Sequence, residues 1–96
     1  MTTVDPALPG AELVAKGLDD LADGRTSEEA LLVSAAATRL RELGLDVEPT
    51  GDDAPLHRLY ELIAEGDPAG AHSRYNALIG RITSFARAAD HASAGR

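Results

Sequence analysis

The stretch HSRYNALIGRITSFARAAD, residues 72–90, decides how the chain is read. At about 100° per residue, Tyr75, Leu78, Ile79, Ile82, Phe85, Ala86 and Ala89 fall on one stripe about 120° wide. That width belongs to a helix set into a globular core rather than to a narrow coiled-coil seam. The opposite side carries no coat of Lys and Glu. It presents Ser73, Ala77, Gly80, Ser84 and Ala88, with Arg74 and Arg81 along one border. Glycine inside a helix costs about 0.5–1 kcal/mol relative to alanine, so a plain solvent face accounts poorly for Gly80. Three accounts stay open: an ordinary exposed face, contact with another helix of the same chain, or contact with a second chain.

Upstream of this helix the start and stop signals divide the chain. Pro9 opens a first predicted helix that ends at Asp23-Gly24, with Leu13, Val14, Leu18 and Leu21 on one face. Gly17 lies on that same apolar face, which points to close contact with a neighbouring helix. Thr26-Ser27-Glu28-Glu29 has the form of a capping box directly before an apolar run. The second helix then reaches Leu43, where Gly44 suits the left-handed position that ends helices. Its main stripe is Leu32, Val33, Ala36, Leu40 and Leu43. The far side holds Leu31, Ser34, Ala35 and Thr38, so little charge crosses its middle and the helix reads as central, touched from two sides.

Residues 46–53 form the one true connector, broken by Pro49 and Gly51. Asp52 or Asp53 is the expected cap of a third helix with Leu56, Leu59, Tyr60 and Ile63 on its face. Gly66 ends it, and Asp67-Pro68 restarts the chain as cap and first helical residue. The expectation is therefore all-α: a small four-helix bundle with helices about 9–22, 27–43, 54–65 and 68–90, the last two forming a hairpin. One domain covers residues 1–96, with frayed ends about 1–7 and 92–96.

The totals narrow the functional classes. The chain has 96 residues, no cysteine, and 16 acidic against 9 basic side chains, for a formal charge of −7. Lacking cysteine, it has no disulfide, thiolate nucleophile or Cys-based zinc site, and it fits a reducing cytoplasm. The acidity argues against nucleic acid, whose binders concentrate positive charge, and against anionic membrane surfaces. No apolar run approaches the ~18 residues of a membrane span, and residues 1–10 lack the basic and apolar regions of a signal peptide. Arg in preference to Lys, with abundant Ala and Gly, suggests a GC-rich bacterial genome.

Chemistry-bearing patterns are sparse. His57, His72 and His91 are too far apart to share adjacent turns, and His57 with Glu61 supplies at most half of a metal site. No phosphate-cradling glycine loop is present, so no metal, cofactor or catalytic residue is assigned and no enzymatic role is expected. Two features remain. His72, Asn76 and Thr83 run along one shoulder of the last helix and are candidates for the wall of a polar pocket. Ser73, Ala77, Gly80, Arg81, Ser84 and Ala88 are the candidate interface, together with the exposed side of the second helix. The leading expectation is a small acidic cytoplasmic helical protein that acts as an interaction or regulatory module through self-association as a homodimer. The alternative is a small-ligand-binding or catalytic bundle built on the polar shoulder.

Overall fold

A computed structural model describes residues 4–49, 51 and 53–94. The expected Asp52 cap and part of the expected frayed ends lie outside the described residues. Within them the chain is all-α: α1 (Ala11–Ala22), α2 (Glu28–Ala35), α3 (Ala37–Glu42), α4 (Pro55–Gly66) and α5 (Ala71–Ala94).

The first helix starts at Ala11 rather than Pro9, because Gly10 caps it in the left-handed conformation at φ 75°. A turn built on Pro9 cannot run through that residue into a right-handed helix. Gly10 is also held close to α5, where a Cβ would lie 2.9 Å from the Arg81 carbonyl oxygen. Val4 and Leu8, ahead of the helix, rest against the core.

The α1–α2 contact is the tightest between elements. Gly17 makes it possible: a Cβ there would clash with the Val33 side chain and lie 2.6 Å from the Glu29 carbonyl oxygen. With the two backbones this close, Ala30, Leu31, Leu32, Val33 and Ser34 are all buried. The central placement expected of the second helix is therefore found, whereas Leu31 and Ser34 belong to the core and not to an outer face. Ala35 and Thr38 alone of that far side are exposed.

Where one second helix was expected, two short ones stand. Ala36, at φ −93° and ψ 9°, separates α2 from α3. Its N–H is shared between the carbonyls of Leu32 and Val33, at 3.2 and 3.1 Å. Such sharing tightens the turn toward 3₁₀ geometry and bends the axis. Past the bend Leu40 is fully buried, and Gly44 stops the segment at φ 94° as its sequence position implied. The cap of α2 is Ser27, whose hydroxyl accepts from Ala30 N–H at 3.0 Å, so Thr26 is not the capping residue.

The connector is anchored rather than loose. Val47 is 1 % exposed, and its carbonyl accepts from Arg41 Nε and Nη2 at 3.0 and 2.8 Å. Helix α4 begins with Pro55 at its first turn after Ala54, which provides no side-chain cap, so Asp53 does not take that role. It buries Leu59 and Ile63, while Leu56 and Tyr60 are left partly exposed. Asp67 caps the next turn by accepting from Gly70 N–H at 3.1 Å, and the regular helix starts at Ala71, three residues later than Pro68.

The short 67–70 turn folds α5 back along α4, where Tyr60 and Tyr75 meet edge to face with ring centroids 5.4 Å apart. Helix α5 inserts Ala71, Leu78, Ile82 and Phe85 into the core. Fully burying a side chain such as Phe85 is worth about 1.5–3 kcal/mol. Its position over the bundle is fixed at three places by ion pairs: Arg74 with Glu28, Arg81 with Glu12 and Arg39 with Asp90. Exposed pairs of this kind are worth about 0.2–1 kcal/mol each, so they set the register of α5 more than its stability.

The two mid-helix glycines make opposite predictions. Gly17→Ala should lower stability in urea unfolding by about 1–3 kcal/mol, the usual cost of overpacking a tight contact. Gly80→Ala, measured at low protein concentration, should raise it by about 0.5–1 kcal/mol, because no atom lies within 4 Å of the added carbon.

Candidate functional site

Helix α5 presents three distinct sides beyond its buried stripe. On one border, Arg74 Nε donates to Glu28 Oε1 at 2.9 Å, and Arg81 Nη2 donates to Glu12 Oε1. Both arginines are thus engaged by acids of their own chain.

The second side is the small-residue face. Ser73, Ala77, Gly80, Arg81 and Ser84 are exposed and Ala88 is half-buried. Among the described residues no other helix covers Gly80, whose Cβ position is open. This removes the intramolecular account of the face. It also separates Gly80 from Gly10 and Gly17, each of which has a neighbour that requires glycine.

The third side is the shoulder of His72, Asn76 and Thr83. All three are exposed. Thr83 Oγ1 donates to the Ile79 carbonyl at 2.8 Å, so its hydroxyl proton is used within the helix. Thr83 borders a surface groove of about 370 Å³ together with Ala36, Arg39, Ile82, Ala86 and Arg87. His72 and Asn76 are outside its lining. A second hollow of about 160 Å³ continues the groove past Ala36 and Ile82 to Leu32, Ala35, Leu56 and Ile79. The trough lies between α2–α3 and α5, on either side of the break at Ala36.

Sequence periodicity had assigned Leu56 to a buried face and Ala86 to the core stripe. In the fold Leu56 is 37 % exposed and Ala86 half-buried, and both line the trough. The break at Ala36, which lines the trough, occurs among alanines, where the sequence carries no breaker. The available signal was the apolar far side of the second helix, which pointed at Ala35 without revealing the gap.

One cluster of charged groups lies elsewhere. Asp20, on α1, is the one buried charged residue among the described residues, at 5 % exposed. Its Oδ2 accepts from Lys16 Nζ and from Ser27 Oγ, both at 2.6 Å, and Arg25 Nε stands 3.5 Å from Oδ1. The Lys16 ammonium and then the Ser27 hydroxyl hold the Asp20 carboxyl below its ordinary value of 3.8, against the opposing effect of burial. In return Asp20, aided by the charge of Glu29, raises Lys16 above its ordinary 10.5. Ser27 both caps α2 and donates to Asp20, so one hydroxyl ties the end of α1 to the start of α2. A carboxylate stabilised in its charged form by fixed donors is a structural anchor, the reverse of the raised acid that general acid catalysis uses.

His57 and Glu61 form an exposed pair at 3.7 Å. Among the described residues no group of three or more His, Asp and Glu side chains is placed to hold a metal ion, and no helix is long and apolar enough to cross a membrane. In comparison with known proteins, no family model matches the chain, and no curated protein or solved structure is significantly similar to it.

The Asp20 cluster predicts a pH dependence at both extremes. The depressed Asp20 contributes stability that is complete above 3.8 and is lost as pH falls through its lower folded value. The raised Lys16 contributes stability that is complete below 10.5 and is lost as pH rises through its higher folded value. Stability should be flat with respect to this pair from about pH 5 to about pH 9. Asp20→Asn should lower the urea midpoint at neutral pH and reduce the acid slope, read by circular dichroism across a pH series.

Proposed function

We propose that this chain is a small acidic helical module that acts through protein–protein contact, in the first instance with a second copy of itself. The observation that carries the reading is the open face around Gly80. A glycine near the middle of a 24-residue helix costs helix stability, and here nothing within the chain occupies the space it leaves. Of the two accounts that remain, contact between chains is favoured over an ordinary exposed face because it offsets the helix stability that the glycine costs. Ser73, Ala77, Ser84 and Ala88 extend the small surface along the helix, letting a second backbone approach closely. A two-fold pairing of α5 with its copy is the simplest closed arrangement.

Size supports the same reading. A chain of 96 residues can bury only a modest fraction of its surface alone, and association adds apolar burial. The acidic, cysteine-free composition suits a reducing cytoplasm. The alternative of a ligand-binding or catalytic shoulder draws no support from His72 and Asn76, which stand in solvent, or from Thr83, whose hydroxyl already serves Ile79.

Sedimentation velocity tests the proposal. The wild type should sediment as a dimer at tens of micromolar, and Gly80→Arg as a monomer with unchanged helical content. A wild type that remains monomeric at high micromolar concentration would falsify self-association.

A further inference from the structure

The trough between α2–α3 and α5 is a second surface, separate from the small-residue face, and it has a chemical polarity of its own. At one end its wall is apolar, formed by Leu32, Ala35, Leu56 and Ile79. At the other end two guanidinium groups, Arg39 and Arg87, stand over Ala36 and Ala86. The lining contains two cations and no anion, in a chain whose formal charge is −7.

The state of these arginines sets them apart from the others on α5. Arg74 and Arg81 are hydrogen-bonded to acids of α2 and α1. Arg39 is ion-paired with Glu42 and with Asp90, each at 3.5 Å, without the short hydrogen bonds that Arg74 and Arg81 make. Arg87 is exposed and makes no ion pair or hydrogen bond with the described residues. An uncompensated cation at the mouth of an apolar trough favours a ligand that brings apolar groups and a carboxylate together.

From Ile79 to Arg87 the helix rises about 12 Å, at about 1.5 Å per residue. That length matches two turns of a docked helix, whose i, i+3/i+4 and i+7 side chains would enter the trough. We infer that the trough receives an amphipathic helix of another protein, with Asp or Glu positioned at the Arg39–Arg87 end.

Selection from a displayed library of helical peptides tests the inference. The library keeps an alanine-rich frame and randomises the apolar positions and both ends. Wild-type protein should enrich peptides with large apolar residues at i, i+3/i+4 and i+7 and with Asp or Glu at one end only. The best such peptide, synthesised with a fluorophore, should bind at least tenfold more weakly to Arg87→Glu in an anisotropy titration. A twin peptide ending in Lys should show the reverse preference. Thr83→Trp, at an exposed helical position, should block both peptides while circular dichroism confirms the fold.

Enrichment of no family, or of one indifferent to both substitutions, would overturn the inference. So would a wild-type dimer that Thr83→Trp dissociates and Gly80→Arg does not, since the occupant would then be a second copy. Gly80→Arg should keep full peptide binding, so the failure of either proposal is distinguishable from the failure of the other.

Discussion

The arrangement of the whole chain depends on the missing side chain at Gly17. Val33 and the backbone of Glu29 occupy the volume a Cβ would take, so α1 and α2 touch at backbone distance. That approach buries five consecutive residues of α2 and turns it into the element around which the others assemble. It also brings the end of α1 beside the start of α2, where Asp20 meets Ser27 at 2.6 Å. The buried carboxylate is tolerated there because donors surround it; the same group without Lys16 and Ser27 would carry a large desolvation cost. Close approach and a satisfied charge are thus two parts of one junction.

Helix α5 rests on this base by one face only. Leu78, Ile82 and Phe85 enter the core, and three ion pairs set its position along α1, α2 and α3. Ala71 is buried with them, and Tyr75, Ile79 and Ala89 pack against the core, while most of the other described side chains of α5 are exposed. An apolar trough runs beside this helix, lined from α2, α3 and α4 as well as from α5. Small domains often lack enough elements to cover every apolar surface.

The electrostatics of the junction between α1 and α2 serve the fold. Asp20 is pushed down and Lys16 up, which strengthens the charge on each. Such a pair holds the end of α1 against the start of α2.

How much of this was legible in the sequence differs by element. The all-α class, the central place of α2, the Gly44 stop and the meaning of Gly17 followed from periodicity and from the backbone freedom of glycine. These are local properties, and the residues concerned have few alternatives. The capping residue was misplaced by one position: Thr26 with Glu29 matches the capping box, whereas the cap is Ser27, whose hydroxyl also donates to Asp20 across the turn. The first and last helices begin later than their prolines suggested, because Gly10 adopts a left-handed conformation and Asp67 caps a separate turn. The small face of α5 was visible as a pattern, but its exposure was not, because wheel angles do not say what lies opposite. The trough was hidden altogether: alanine is equally content in a straight helix or at a bend. The sequence by itself therefore determined the helical class, much of the buried stripe of each helix and where most helices stop. Only the tertiary structure decided which small residues are covered, because that depends on where another helix lies.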